Sequence, residues 1–196
     1  MLRYAITSGE EIDAVGACVA KARRWAEMGV EYVQLREKQM DAGELLRVAV
    51  AMAEVFREHG GRTKLLVNGR ADVAVAAGAD GVHLSARAGE FSAEQVRKVF
   101  AAAGAGVPVV SVSCHTLEEV RAAAAAGVDL ILFGPVVEKQ VEGQVVVEGV
   151  GMEALREACA TAQRVKVLAL GGVSERNAVL CMGAGVAGVA GIRMFL

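Results

Sequence analysis

The sequence predicts an α/β fold in which parallel strands close into a small (β/α)8 barrel of the TIM type, and three observations predict it. Eight short runs of Val, Leu, Ile and Ala alternate with helical stretches along the 196 residues, which is the pattern of a parallel sheet joined by crossover helices. The runs are close to continuous in apolar residues, as strands must be when helices cover one face and a packed interior lies behind the other. Finally, the chain is 54% hydrophobic but only 4% aromatic, and small side chains suit helices lying close against a sheet. The competing open, doubly wound sheet would need a Gly-x-Gly-x-x-Gly turn after the first strand, and that turn is missing. The length favours one domain over 1–196.

The first strand is expected from Arg3 to Thr7. An amphipathic helical stretch follows from about Glu11 to Met28, with Gly29 where a C-cap belongs. Tyr32 to Lys38 is the second strand, and its alternation puts Gln34, Arg36 and Lys38 on one face. Asp41 N-caps a helix reaching about His59, which Gly60 and Gly61 end. Lys64 to Asn68 is the third strand, Ala71 to Ala77 a short helix closed by Gly78, and Gly81 to Ser85 the fourth strand. Ser92 caps a helix from Ala93 to about Ala103, and Pro108 to Ser113 is the fifth strand, running into Cys114 and His115. Thr116 then starts a helix with Glu118 and Glu119 at the positive end of its dipole, and Gly127 stops it.

Asp129 to Phe133 is the sixth strand. Gly134 to Gly149 is expected to be the only long irregular stretch, and a loop of that length in a compact domain is more often functional than idle. A helix from about Gly151 to Ala162 leads to the seventh strand, Lys166 to Leu170, which ends in Gly171 and Gly172. Ser174 caps a helix to Gly183, and Ala187 to Ile192 is the eighth strand. The usual eighth helix is expected to be missing, and nothing before the first strand would plug the barrel's bottom. The uncovered apolar flank predicts a homo-oligomer, a dimer being the simplest.

A formal net charge of -2, from 21 basic and 23 acidic residues, provides no global field for nucleic acid or an anionic membrane, so any anion specificity must be local. No apolar run reaches the roughly 18 to 20 residues of a membrane span. The start lacks the basic and apolar regions of a signal peptide, and a cytoplasmic protein is expected. Cys18, Cys114, Cys159 and Cys181 lie far apart with no Cys-x-x-Cys pair, which argues against structural zinc and a disulfide framework.

In such a barrel the carboxyl ends of the strands share one rim, where active sites lie. That rim would gather Gln34, Arg36, Lys38, Asn68, Arg70, His83, Ser85, Ser113 and His115. Fixed cations at Arg36 and Lys38 suggest an anionic ligand. Gly171 and Gly172, with Gly191 and Arg193 after the last strand, stand where barrels bind phosphate through backbone amides, and a guanidinium beside them suits that anion. His115, just before a helix N-terminus, is the acid/base candidate, its cationic form disfavoured there. The other reading of His115 is a structural histidine bonded to a neighbouring carbonyl. His83 is read as packing at the rim. Carboxylates do not cluster at strand ends, so no metal is expected from the residues.

Several stretches resemble, in the expected order, the thiamine phosphate synthase and thiazole tautomerase superfamily of small barrels. They are Ala5-Ile-Thr, Gln34-Leu-Arg-Glu-Lys38, Val67-Asn-Gly-Arg70, Gly78-Ala-Asp-Gly-Val-His-Leu84, Ser113-Cys-His-Thr116 with Glu118 and Glu119, Phe133-Gly-Pro135, Ala169-Leu-Gly-Gly172 and Ala184-Gly-Val-Ala-Gly188. The resemblance implies an enzyme of thiamine biosynthesis that binds a phosphorylated thiazole. In the synthase branch an Asp follows the strand-three Asn, and a second Asp follows the strand-four His-Leu; together they hold Mg²⁺ on a pyrimidine diphosphate. Here the first position is Gly69 and the second falls near Ala88 or Glu90. The synthase segment Pro-Thr-x-Thr-Lys is replaced by Val137-Glu-Lys-Gln-Val-Glu142.

The Asn-Gly-Arg and Ser-x-His-Thr-Leu-Glu-Glu segments resemble the tautomerase branch more closely. The leading expectation is therefore a metal-independent thiazole tautomerase, an isomerase with His115 as acid/base and no cofactor, Mg²⁺ being expected only if the synthase reading holds. Gln34, Arg36, Lys38, Asn68, Arg70, His83, Ser113 and Lys139 would then contact the substrate, and Gly171, Gly172, Gly191, Ile192 and Arg193 would bind its phosphate. One alternative is thiamine phosphate synthase, a Mg²⁺-dependent transferase joining hydroxymethylpyrimidine diphosphate to thiazole phosphate with release of pyrophosphate. The other is a non-catalytic regulator that binds thiazole or thiamine phosphates.

Overall fold

The computed structural model describes residues 1–9, 14–87, 89–141 and 144–195. The strands in chain order are β1 (Leu2–Ile6), β2 (Tyr32–Leu35), β3 (Lys64–Asn68), β4 (Gly81–Ser85), β5 (Val109–Cys114), β6 (Leu130–Phe133), β7 (Lys139–Val141), β8 (Gln144–Val147), β9 (Lys166–Leu170) and β10 (Gly188–Gly191). Between them run α1 (Ala14–Glu27), α2 (Ala42–Glu58), α3 (Ala71–Ala77), α4 (Ala93–Ala102), α5 (Leu117–Ala125), α6 (Gly151–Thr161) and α7 (Glu175–Gly183). Eight strands pair in parallel and close a barrel in the order β1-β10-β9-β6-β5-β4-β3-β2. The expected (β/α)8 barrel is therefore the fold. The predicted start of the first helix, at Glu11, lies outside the described residues.

Helix starts follow from local chemistry. Asp41, Ser92 and Thr116 each form a reciprocal capping box, with Glu44, Gln95 and Glu119 respectively, which satisfies backbone donors that a helix end leaves open. At Ser174 the amide donates to the Asn177 side chain at 2.8 Å.

Two apolar layers hold the barrel. Between sheet and helices, the core contains Trp25, Met52, Phe56, Phe100, Phe133 and Leu155. Inside the barrel, Tyr4, Ile6, Leu130, Leu132, Leu168 and Ala190 pack together with Leu2, Tyr32 and Val109. Tyr4 and Tyr32 stack with ring centroids 6.0 Å apart. Side chains of the barrel strands thus occupy its interior.

Three expectations change. The second strand ends at Leu35 rather than Lys38, although the alternation persists beyond it: Glu37 is buried, while Arg36 and Lys38 face the opposite way, into a cavity. The stretch after β6 is not irregular, because β7 and β8 pair antiparallel within it. Strands of three and four residues are too short to leave a readable period. The stem of that hairpin docks on the end of β9, where the amides of Val136 and Val137 donate to the carbonyls of Leu170 and Gly171. Last, the flank beside β1 is partly covered by the chain itself: Phe195 is buried, and its carbonyl accepts a 2.8 Å bond from Trp25 Nε1. Among the described residues no helix is long and apolar enough to cross a membrane.

Candidate active site

A cavity of about 400 Å³ opens at the carboxyl ends of the strands. Gln34, Arg36 and Lys38 line it from β2 and its exit, Asn68 and Gly69 from β3, His83 and Ser85 from β4, and Ser113 and His115 from β5. Arg87 and Glu90 enter from the loop after β4, and Ile6, Leu170 and Ile192 supply an apolar wall. Three cations therefore face one carboxylate among the described residues. The β2 exit is braced from β1, since the Arg36 amide donates to Thr7 Oγ1 at 2.9 Å and the Gly9 amide donates to Glu37 Oε1 at 3.2 Å.

Gln34 donates through Nε2 to Asn68 Oδ1 at 2.9 Å, and its Oε1 is buried without a partner. An unsatisfied buried acceptor is costly, and it belongs to a residue that lines the cavity.

His83, expected both to pack at the rim and to contact the substrate, packs deeper than the rim while still lining the cavity. It is buried at the cavity floor, with Nδ1 2.8 Å from Ser111 Oγ and Nε2 2.9 Å from Ser113 Oγ. Burial, helped by the positive charge of Arg36, pushes its pKa down to about 3, so the ring is neutral. Below it the Tyr4 hydroxyl lies 2.9 Å from Ser111 Oγ, its pKa raised by burial. Sequence reasoning missed Tyr4 and Ser111. The alternation of Ser111 and Ser113 in an otherwise apolar strand was the signal that two hydroxyls face inward.

His115 is exposed at the cavity mouth. Its Nδ1 donates to the Gly134 carbonyl and its amide to Glu119 Oε2. The carbonyl-bonded arrangement is thus the one present. Cys114 beside it is buried, and burial, with Glu119 nearby, pushes its thiol up to about 12, which leaves no reactive thiolate. Arg70 does not line the cavity; Asp72, two residues on, holds its guanidinium at 2.9 and 2.6 Å. Lys139 lies in β7, but its side chain, like Ala88, lies outside the described residues.

A second cavity, of about 430 Å³, adjoins the first and shares Leu170 and Ile192 with it. Gly171, Gly172, Gly191, Ile192 and Arg193, the five residues expected to bind phosphate, all line it, together with Pro135 and Val137 of the hairpin stem. Gly171 and Gly172 have φ of +86° and +66°, and a Cβ on Gly172 would stand 2.5 Å from the Val137 carbonyl oxygen. Only glycine meets both the left-handed backbone and that close approach.

Among the described residues there is no group of three or more His, Cys, Asp or Glu that could hold a metal ion. The carboxylate of Glu90 nevertheless stands where a side chain on Gly69 would begin: Oε2 is 3.7 Å from the place of a Gly69 Cβ, while Ser85 Oγ donates to Oε1 at 3.2 Å.

A parallel eight-stranded barrel with a cation-lined cavity and a glycine-turn cavity side by side at its strand ends defines the class. Comparison with known proteins narrows it: the family described as thiamine monophosphate synthase matches residues 3–195, and the chain belongs to that family. A Geobacter sulfurreducens protein provisionally named thiamine-phosphate synthase is 42% identical over 166 residues, covering 83% of this chain and 71% of its own. The thiamine-phosphate synthase of Methanoculleus marisnigri is 34% identical over 175 residues, covering 86% and 75%. Among solved structures, the thiamine phosphate pyrophosphorylase of Pyrococcus furiosus matches with a TM-score of 0.79 and 26% identity, over 97% of this chain and 85% of that one.

These relatives overturn the leading expectation of a metal-independent thiazole tautomerase. They carry the synthase name, and the Pyrococcus furiosus structure carries the pyrophosphorylase name. The expectation rested on Gly69, on the second Asp position near Ala88 or Glu90 and on the replaced loop segment; the structure shows that one carboxylate, that of Glu90, does stand beside Gly69.

Proposed function

We propose that this protein is a thiamine phosphate synthase, joining hydroxymethylpyrimidine diphosphate to thiazole phosphate and releasing pyrophosphate. The observation that carries the reading is the pair of adjoining cavities, one lined by Arg36, Lys38 and Arg87 and the other by the Gly171-Gly172 turn, Gly191 and Arg193. A reaction between two anionic substrates needs two anion sites that open onto each other. The relatives' names support the same activity.

In this reading the diphosphate lies against Arg36, Lys38 and Arg87. As the bond from the pyrimidine methylene carbon to the diphosphate oxygen breaks, its electron pair moves onto the leaving group, and fixed cations stabilise that charge more in the transition state than before it. The thiazole nitrogen supplies the electron pair for the new carbon–nitrogen bond. Its phosphate sits on the glycine turn beside Arg193, which holds the nitrogen in line with the carbon. Gln34 Oε1 accepts from a donor on the pyrimidine. Leu170 and Ile192, shared by both cavities, line the place where carbon and nitrogen meet and keep competing water away.

Mg²⁺ fits this donor set in a reduced form. That ion is commonly held by one or two carboxylates together with substrate phosphates, and Glu90 is the carboxylate present at the Gly69 corner. When bound it would neutralise charge on the diphosphate. His115, pinned through Nδ1, is needed for no proton transfer in this reaction.

The test supplies both substrates and Mg²⁺ to the purified protein and follows pyrophosphate. Release that requires both substrates is expected, whereas no release at any Mg²⁺ or Mn²⁺ concentration would overturn the proposal.

A further inference from the structure

We infer that the buried cluster beneath the cation-lined cavity fixes His83 as its Nε2–H tautomer, and that this makes Ser113 a hydrogen-bond donor toward the cavity. The argument is a count of protons. Tyr4, Ser111 and His83 are all buried, the first two completely. Their polar atoms form a triangle: Tyr4 Oη to Ser111 Oγ at 2.9 Å, Ser111 Oγ to His83 Nδ1 at 2.8 Å, and Tyr4 Oη to His83 Nδ1 at 3.4 Å. Among the described residues, neither hydroxyl has another partner.

If Nδ1 is bare, two hydroxyl protons meet the available acceptors. Tyr4 donates to Ser111, Ser111 donates to Nδ1, and nothing is left unpaired. If Nδ1 carries the proton, three protons compete for two oxygens, and one hydroxyl is buried without an acceptor. A buried unsatisfied donor is heavily disfavoured. The ring cannot escape by taking a second proton, because burial keeps it neutral at ordinary pH.

With Nδ1 accepting, the ring proton sits on Nε2 and donates to Ser113 Oγ at 2.9 Å. Ser113 lines the cavity, and among the described residues its hydroxyl has no other protein partner. Its own proton therefore points toward the cavity, and the ligand group it meets must be an unprotonated nitrogen or oxygen. Tyr4, Ser111 and His83 are positioning residues acting through Ser113. Gln34, which lines the same cavity, has the opposite sense there, its buried Oε1 being an acceptor without a partner.

The tautomer is read in ligand-free protein, so it stands or falls apart from the proposed activity. Protein labelled with ¹⁵N at histidine gives long-range proton–nitrogen spectra, and loss of one set of signals in His83→Gln assigns the ring. The expected result is a protonated Nε2 and a bare Nδ1, with the Nδ1–H form below about a tenth of the population. A protonated Nδ1 would overturn the inference. For the donor role, which rests on the synthase reading, hydroxymethylpyrimidine diphosphate is titrated into the wild type and Ser113→Ala. Binding about tenfold weaker in Ser113→Ala is expected, and equal affinity would remove the donor role.

Discussion

The buried imidazole of His83 makes a quantitative prediction about stability. Its ordinary pKa of 6.5 falls to about 3 in the folded protein, while the unfolded chain keeps the ordinary value. Above 6.5 the ring is neutral in both states and contributes no pH dependence. Between 6.5 and about 3 the unfolded state binds a proton that the folded state refuses, so stability falls as pH falls. One proton corresponds to about 1.4 kcal/mol per pH unit. From about pH 6.5 down to about pH 4, that is roughly 3 kcal/mol, a large share of the stability of a domain this size. Denaturant unfolding of the wild type and His83→Gln, each measured from about pH 7 to about pH 4, isolates the effect, since every other titrating group cancels in the difference. The wild type's stability relative to His83→Gln is expected to drop by about 3 kcal/mol over that range. A difference that does not change with pH would refute the reasoning.

Other outcomes follow from the same geometry. Gly172→Ala must carry a Cβ 2.5 Å from the Val137 oxygen at a φ of +66°, so a loss of at least about 2 kcal/mol in thermal or denaturant unfolding is expected, with weaker binding of thiazole phosphate. Arg36→Ala should lower kcat/KM by about a hundredfold or more. Arg70→Ala, whose guanidinium is already held by Asp72, should stay within about threefold of the wild type. Glu90→Gln should raise the Mg²⁺ concentration needed for half-maximal rate, measured by titrating Mg²⁺ at saturating substrates; an unchanged Mg²⁺ dependence would remove Glu90 from the metal's surroundings.

Much of this was legible in the sequence where local chemistry decides. The barrel strands could be read from apolar runs because a parallel sheet is buried on both faces, and the caps at Asp41, Ser92 and Thr116 from side-chain chemistry alone. Rim residues such as Gln34, Asn68 and Ser113 followed from strand ends, since the fold itself brings those ends together. What could not be read depended on contacts between segments distant in the chain or on very short elements. Arg70 carries the charge of a ligand-binding residue, but Asp72 captures it. His83 sits in a strand like any other buried residue until Tyr4 and Ser111 are seen beneath it. Glu90 was the costliest case: sequence order put it near the position of the second synthase Asp without counting it as a ligand, and only the fold shows its carboxylate beside Gly69.

The central claim, that two substrates meet across Leu170 and Ile192, is tested most directly by product stoichiometry. With both substrates and Mg²⁺ present, thiamine phosphate and pyrophosphate, measured together by chromatography and mass spectrometry, are expected in equal amounts and at the same rate. Pyrophosphate released without the joined product would show that water, not the thiazole, receives the pyrimidine, and would contradict the account.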